Sequence, residues 1–456
     1  MLKQIASSAL DDAYEQVLRA AVGLRAAVGR LDEMNKAMAH AVRRLAGKQV
    51  PVVTLETLTT QIANRKTSST YLHAQLPPLL ARMAVALGEE APASLASMPS
   101  LASLIQWYGD SALRIAELPP PPEWGAWREN PSKTFLAREA AFDDTLETIR
   151  SEGKLVRDRL FEAIEEAGGL HGSAPEGGRG SAVDAFLGDF YAKRLTLRLL
   201  LGQHKACGAS DSAPGFHLRQ TFDELDLDSD GVLDADELAR ARSLYGAASS
   251  EPRPSVCGLV DAAMSPFDVA VQVIADVREE CLRSPRNPGG LAPPFKLYGN
   301  GRGVTLPYLP RHLYIILREV LRNSVRASLL KHAADGGALG EISVVISDGD
   351  ANSDVVVKVA DLGGGIPRSR LRRIFAFSAE RNVARDLADQ KLCVPLGVIA
   401  DEATDILATR VGGHGLPLAR VYATLFNGDL QLRSMEGHGT DAYVYISKIQ
   451  KNVLPT

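Results

Sequence analysis

The sequence predicts a multidomain α and α/β protein: a helical bundle, then a short acidic insert, then an α/β sandwich. A chain of 456 residues is too long for one hydrophobic core. Leu2 to Leu201 carry apolar residues mostly at helical spacing, whereas the C-terminal part alternates strand-like runs with helices and glycine clusters. The expected domains are residues 1–204, 205–256 and 257–456.

The N-terminal helices are separated by proline and glycine stops. The run Pro119–Pro122 cannot lie inside a helix and predicts a rigid bend. The fourth segment is expected to be one long helix. The predicted helices are Ala13–Ala46, Ser68–Leu87, Ser100–Glu117, Phe135–Gly168 and Val183–His204.

The acidic insert contains a complete EF-hand calcium loop. Its carboxylates have the spacing of loop positions 1, 3, 5, 9 and 12, with Gly231 at 6 and the Val232 carbonyl at 7. The alternative is an acidic surface turn. No second loop occurs in the sequence, so calcium affinity could be weak, or the loop could pair with another subunit. The proposed Ca2+ ligands are Asp226, Asp228, Asp230, Val232, Asp234 and Glu237.

After the insert, a helix at Pro266–Arg283 precedes two short strands, Phe295–Tyr298 and Val304–Pro307. The glycine-rich segment between these strands favours a hairpin turn over a phosphate loop, because it does not open a helix. The remaining elements are a helix at Arg311–Lys331, strands at Glu341–Ser347 and Asp354–Ala360, a helix at Leu416–Phe426, and strands at Leu430–Ser434 and Ala442–Ile446.

The helix Arg311–Lys331 places three polar residues on one stripe, because positions i, i+4 and i+7 align at helical periodicity. Glu319 can accept a proton, Asn323 can coordinate a hard cation, and Arg326 can hold phosphate oxygens. Alone, such a stripe is as typical of a solvated helix face.

Two glycine-rich motifs follow. Asp361 ends a strand and precedes glycines, including Gly363 and Gly365, so its carboxylate can accept from an exocyclic amine. The second motif opens a helix, where backbone N–H groups suit phosphate; it comprises Gly413, His414, Gly415 and Leu416. Thr440 begins the last strand and can reach the same base edge.

In this order, the motifs resemble the N, G1 and G2 boxes of the GHKL ATPase and kinase superfamily, whose ATP site is a Bergerat fold. The resemblance implies that Asn323 holds Mg2+, Asp361 the adenine, and Gly413–Leu416 the triphosphate of ATP. EVLRNSVRAS at Glu319–Ser328 and the stretch Gly412–Tyr445 are similar to mitochondrial pyruvate dehydrogenase and branched-chain ketoacid dehydrogenase kinases. The segments Thr67–Met83, Pro99–Ile115 and Phe186–His204 resemble that family's four-helix bundle.

The resemblance implies transfer of the ATP γ-phosphoryl group to a serine of the E1 component of a 2-ketoacid dehydrogenase in the mitochondrial matrix, by a homodimer. Glu319 would act as general base, and Arg322 and Arg326 would contact phosphates. Calcium could gate the kinase. Two alternatives stay open: a nucleotide- and calcium-binding regulatory pseudokinase, and a kinase acting on histidine.

Three departures from the family pattern bear on activity. Ile315 stands where pyruvate dehydrogenase kinases carry a histidine four residues before the catalytic glutamate. The lid, residues 378–410, lacks the family's pattern, and the sequence to Thr456 lacks the family's Asp-Trp tail motif. Lipoyl-domain docking and nucleotide exchange are therefore not implied.

Composition excludes several other classes of protein. The formal net charge is −4 and the pI about 6.2, so no basic field favours nucleic acid. The 4 cysteines lack zinc-cluster spacing, and no apolar run is long enough to span a bilayer.

Overall fold

The computed structural model contains a mainly helical N-terminal part and a C-terminal α/β part, as the sequence predicts. The residues it describes are 36–120, 133–153, 155–166, 182–208, 232–233, 256–284, 287, 290–299, 303–348, 354–377 and 415–448.

The chain divides into two compact units. The first contains residues 1–51 and 66–201, and the second contains 52–65 and 202–456. The short segment 52–65 therefore belongs with the C-terminal unit although it lies early in the sequence. Among the described residues, no helix combines the length and apolar character needed to cross a bilayer.

The first unit has a core of leucine and aromatic side chains, including the fully buried Leu72, Leu76 and Tyr108. In addition to α-helices, it contains a π-helical turn at Ala86–Glu90. Its described helices are α1 (Lys36–Ala46), α2 (Arg65–Val85), α3 (Ala93–Ala96), α4 (Pro99–Ala116), α5 (Lys133–Glu152), α6 (Leu155–Glu166) and α7 (Ala182–Gly208), the last of which continues into the second unit.

The prediction of one long helix over Phe135–Gly168 was wrong, since α5 ends at Glu152 and α6 begins at Leu155. Gly153 lies between them, and its carbonyl accepts a hydrogen bond from Arg194 Nη2 at 2.7 Å. Glycine weakens helix propagation, and the arginine occupies a carbonyl that a continuous helix would use.

The second unit is built on two sheets. The described strands are β1 (Val232–Leu233), β2 (Val256–Cys257), β3 (Val260–Met264), β4 (Phe295–Tyr298), β5 (Leu306–Tyr308), β6 (Ile342–Asp348), β7 (Asp354–Asp361), β8 (Asp429–Met435) and β9 (Gly439–Ser447). A six-stranded sheet has the order β1-β4-β6-β7-β9-β8, in which only β4 and β6 are parallel, and a three-stranded sheet has the order β2-β3-β5.

The predicted hairpin between the strands flanking Gly299–Gly303 was also wrong. β4 pairs with β6 in the larger sheet, whereas β5 pairs with β3 in the smaller one. Sequence proximity suggested a hairpin, but β3, which the sequence did not reveal, supplies the partner of β5.

The described α-helices that lie wholly in this unit are α8 (Pro266–Arg283), α9 (Pro310–Asp335), α10 (Arg368–Leu371) and α11 (Gly415–Thr424), and a π-helical turn lies at Thr57–Gln61. Proline starts both α8 and α9, where its missing N–H has no helical partner to lose. Gly336 ends α9 in the left-handed conformation, with its N–H on the His332 carbonyl at 2.9 Å. α9 packs against α8, α11 and the six-stranded sheet.

Candidate ATP-binding and active site

The central element of the candidate site is α9, whose apolar side chains anchor it in the core. Leu313, Ile316, Leu317, Val320 and Leu321 are all buried, as helical periodicity predicts. Because that face is buried, the polar stripe lies on another face of the helix. Glu319 is 7% exposed, whereas Asn323, one helical turn further along, is exposed. The two residues therefore occupy different environments on one helix.

Glu319 lies against the first described residue of α11. A Cβ atom built on Gly415 would come within 2.2 Å of Glu319 Oε2, so only glycine allows this approach. Burial raises the pKa of Glu319 above its ordinary value, although the nearby Arg322 and Arg318 guanidiniums oppose the shift. A carboxyl group with a raised pKa in such a position suits proton transfer.

Asp361 is held at the end of β7 by groups from three elements. Ser324 of α9 donates to its Oδ2 at 3.0 Å, and the N–H groups of Gly363 and Thr440 donate to its Oδ1 at 2.9 and 3.3 Å. Burial raises the pKa of Asp361, while these hydrogen bonds act in the opposite direction. Because a carboxylate oxygen can accept two hydrogen bonds, Oδ2 retains capacity for an amine.

The glycine loop after Asp361 is packed too tightly for larger residues. A Cβ atom on Gly363 would lie 2.5 Å from Ala327 Cβ, and one on Gly365 would lie 2.1 Å from the Met435 carbonyl oxygen. Gly365 also has a φ of +73°. The loop is thereby pressed between α9 and the β8–β9 hairpin.

Thr440 stands directly opposite Asp361 in the pairing of β7 with β9. Its hydroxyl lies 2.9 Å from Ser434 Oγ, which also accepts the Ile366 N–H at 2.7 Å. The hairpin and the glycine loop are thus joined by side-chain hydroxyls. The sequence analysis did not predict roles for Ser324 or Ser434. For Ser324, the feature that could have indicated a role is a serine among the buried apolar positions of α9.

Several polar atoms on α9 are buried but have no hydrogen-bond partner in the part of the chain that the structure describes. Among them are Glu319 Oε1, Arg322 Nη1 and Arg326 Nε. Unsatisfied buried donors and acceptors are costly, which is a reason to expect a polar ligand there. Together with the close backbone approaches at the glycines, the two arginine donors fit a nucleotide phosphate.

Not every residue predicted for the site can be placed. Gly413, His414 and the lid 378–410 lie outside the described residues. So do the calcium ligands Asp226, Asp228, Asp230, Asp234 and Glu237; of that loop only the strand Val232–Leu233 is described. Leu416 lies in α11 and is half-buried.

His312 was also missed from the sequence, although it lies two turns before Glu319 on α9. Its ring packs edge-on against Tyr422 at 4.9 Å and near Phe426 at 5.8 Å between ring centroids. Burial, aided by Arg311, lowers the pKa of His312 to about 3, so the ring is neutral. Ile315, the position of the family's histidine, is buried and cannot titrate.

Comparison with known proteins agrees with this geometry. Residues 52–228 match the family model described as mitochondrial branched-chain alpha-ketoacid dehydrogenase kinase, and residues 308–450 match histidine kinase-, DNA gyrase B-, and HSP90-like ATPase. The mitochondrial [pyruvate dehydrogenase (acetyl-transferring)] kinase of Arabidopsis thaliana is 28% identical over 385 residues, covering 84% of this chain and 85% of the relative.

Animal relatives give the same result. Isozyme 1 of the kinase from Rattus norvegicus is 26% identical over 392 residues, covering 85% of this chain and 74% of the relative. The Drosophila melanogaster kinase is 28% identical over 338 residues, covering 72% and 69%. The matches span both units, and the chain belongs to the pyruvate dehydrogenase kinase family of the GHKL superfamily.

Proposed function

We propose that this chain is an ATP-dependent protein serine kinase that phosphorylates the E1 component of a mitochondrial 2-ketoacid dehydrogenase, that of pyruvate or of branched-chain ketoacids. The observation that carries the proposal is Glu319: a buried carboxyl group with a raised pKa, on the same helix as Asn323 and facing Gly415. Because its relatives are named as mitochondrial kinases, we propose that the enzyme acts in mitochondria, in the matrix and as a homodimer.

Each residue has a distinct role in this proposal. Glu319 accepts the serine hydroxyl proton, Asn323 holds Mg2+ through its amide oxygen, and Asp361 accepts the adenine amine with Thr440 beside it. Bound Mg2+ neutralises charge that develops on the transferring phosphoryl group. Positively charged and backbone donors hold the phosphates; these are Arg322, Arg326, Gly413, His414, Gly415 and Leu416. Gly363 and Gly365 let the backbone approach the nucleotide beside Asp361.

A phosphotransfer assay tests the proposal. Purified protein with Mg-ATP should place phosphate on a serine of an E1 component, and Glu319→Gln should lower the rate by at least about a hundredfold because the base is lost. Glu117→Gln, at an exposed carboxylate in the first unit, is the matched control and should keep full activity.

The alternatives give different results in the same assay. Phosphate on histidine, or full activity in Glu319→Gln, would contradict the serine mechanism with this base. Tight ATP binding without transfer to either E1 would favour the pseudokinase. Parallel assays on pyruvate and branched-chain E1 distinguish the substrates.

We also propose that calcium modulates the kinase, on one specific observation. Val232 and Leu233, at positions 7 and 8 of the EF-hand motif, form β1. This strand lies at the edge of the six-stranded sheet and pairs antiparallel with β4, Val232 with Tyr298 and Leu233 with Leu297. In paired EF-hands, the two loops meet through a short antiparallel ladder at this point. Here β4, the strand next to β1 in the sheet, takes the place of a second loop.

This pairing would connect calcium to the sheet that carries Asp361. Calcium should bind the purified protein, protect the backbone amides of β4 from hydrogen exchange and change the kinase rate. The double variant Asp226→Ala, Glu237→Ala should abolish all three effects. Binding of calcium without altered exchange in β4 would show that the loop is not coupled to the sheet.

A further inference from the structure

Glu319 is one member of a group of four buried charges contributed by two helices. Arg318, Glu319 and Arg322 come from α9, and Glu280 comes from α8. All four side chains are largely buried: Arg318 is 5% exposed, Glu319 10%, Arg322 12% and Glu280 15%. Two positive and two negative charges balance, as buried ionic groups require.

The pairing within this group is unequal. Glu280 Oε1 accepts hydrogen bonds from Nη2 and, at 3.2 Å, from Nε of Arg318. Arg322 makes only longer ion-pair contacts: its Nε is 3.7 Å from Glu280 Oε2, and its Nη1 is 3.6 Å from Glu319 Oε1. Glu280 therefore holds Arg318 firmly and one edge of Arg322 weakly.

The consequence is that neither arginine donates a hydrogen bond to Glu319 among the contacts of the described residues. Within the described residues, Glu319 Oε1 and Arg322 Nη1 have no hydrogen-bond partner. If Glu280 were uncharged, Glu319 would be the nearest remaining carboxylate for two buried guanidiniums. A base tied into such a pair binds its proton less readily and is a poorer catalyst.

We propose that Glu280, acting through Arg318 and Arg322, is a positioning residue that keeps Glu319 free to accept a proton and keeps Arg322 free to bind an anion. This inference rests on the proposed kinase function. It supplies, from the neighbouring helix α8, a control on the base that the buried Ile315 cannot provide.

Among the described residues of α8 and α9, the neighbouring titratable groups Tyr314 and Asp276 bind each other. Tyr314 donates its hydroxyl to Asp276 Oδ2 at 2.8 Å, which leaves Asp276 engaged one turn before Glu280 on α8. From α11, Glu319 is met by Gly415, which carries no charge. Among the described residues, the groups that set the charge around Glu319 are therefore Glu280, Arg318 and Arg322.

The test uses the full chain with Mg-ATP and E1, comparing Glu280→Gln, Arg318→Met and the double variant. Glu280→Gln should lower kcat about tenfold and move the acid limb of the kcat–pH profile to lower pH by about one unit, since Glu319 becomes paired. Arg318→Met in the same chain should restore most of the rate and the acid limb, because it removes the positive charge that Glu280→Gln leaves unbalanced and returns the net charge around Glu319 to that of the wild type. Arg318→Met alone should raise KM for ATP, since Glu280 is then free to draw Arg322 away.

Glu279→Gln is the matched control, because Glu279 lies beside Glu280 in sequence but forms a surface pair with Arg283. It should leave the profile unchanged. Loss of rate in Glu280→Gln with an unmoved acid limb and no rescue by Arg318→Met would show that Glu280 only holds the two helices together.

A second readout does not need activity. The Glu319 carboxyl signal, assigned by its absence in Glu319→Gln, is followed by carbon-13 NMR as pH is varied in wild type and Glu280→Gln. A lower pKa of Glu319 in the variant supports the inference even if the wild type phosphorylates neither E1, an outcome that would overturn only the kinase proposal. An active wild type whose Glu319 titration does not move in the variant would overturn the inference alone.

Discussion

Ser324 shows how one small side chain can position a binding carboxylate. Its hydroxyl is the only side-chain donor to Asp361 among the described residues, and it acts from α9 while Asp361 lies on β7. Removing it leaves Oδ2 of a buried carboxylate without that partner. The carboxylate would then be both harder to ionise and less well oriented.

We expect Ser324→Ala to weaken ATP binding by about tenfold, which corresponds to the loss of one hydrogen bond to a charged group. Isothermal titration calorimetry with Mg-ATP measures this change. Ser328→Ala is a matched control one turn later on α9, where the buried hydroxyl has no partner in the described structure. Equal losses in the two variants would contradict a specific role for Ser324.

Glu319 should make the protein less stable as pH rises. Its raised pKa means that the folded state keeps a proton that the unfolded state loses above the ordinary value of 4.5. Stability therefore falls as pH rises through the interval between the two pKa values, and the cost persists above it. The ionised form that costs stability is the form that catalysis needs.

We therefore expect Glu319→Gln to be inactive but more stable than wild type at neutral pH, with the advantage disappearing below the ordinary carboxyl pKa. Urea unfolding from pH 4 to pH 8 measures the difference. A Gln variant less stable than wild type at pH 7 would show that the arginine pairs outweigh the burial of the charge.

At the scale of elements, the contact between α9 and α11 depends on Gly415. A methyl group there would displace the Glu319 carboxylate, because the nearest oxygen lies 2.2 Å from the Cβ position. We expect Gly415→Ala to lower kcat by roughly tenfold or more through misplacement of the base. Thermal stability should change little, since alanine favours a helix.

The control for that variant is Gly337→Ala, where a Cβ atom meets nothing within 4 Å. Steady-state kinetics on both variants should show a loss in the first only. A fully active Gly415→Ala would mean that the two helices separate when the enzyme works.

At the scale of the whole molecule, Gln203 joins distant parts of the sequence within the second unit. Its amide donates to the carbonyls of Leu58 and Cys257, each at 3.1 Å, and accepts the Leu259 N–H at 2.7 Å. Gly258, at a φ of +61°, leaves room for this side chain. These bonds tie segment 52–65 to the start of the smaller sheet.

We expect Gln203→Ala to lower the free energy of unfolding of this unit by about 2–3 kcal/mol, because buried backbone groups lose their partners. Gln431→Ala, at an exposed glutamine on β8, should cost less than about 0.5 kcal/mol. Urea unfolding followed by fluorescence compares them. Similar midpoints for both variants would contradict a structural role for Gln203.

The sequence by itself predicted a helical N-terminal part and a C-terminal α/β part, with Glu319 and Asn323 on one helix and Asp361 at the end of a strand, because periodicity and short motifs are local properties. It failed where partners are distant: Gly153 divides a helix because Arg194 binds its carbonyl, and β5 pairs with β3 and not with β4. Only the tertiary structure brought Ser324 to Asp361 and Glu280 to Arg318. The physical reason is that hydrogen bonds and charge interactions depend on distances in space, which helix packing and strand pairing set and sequence spacing does not.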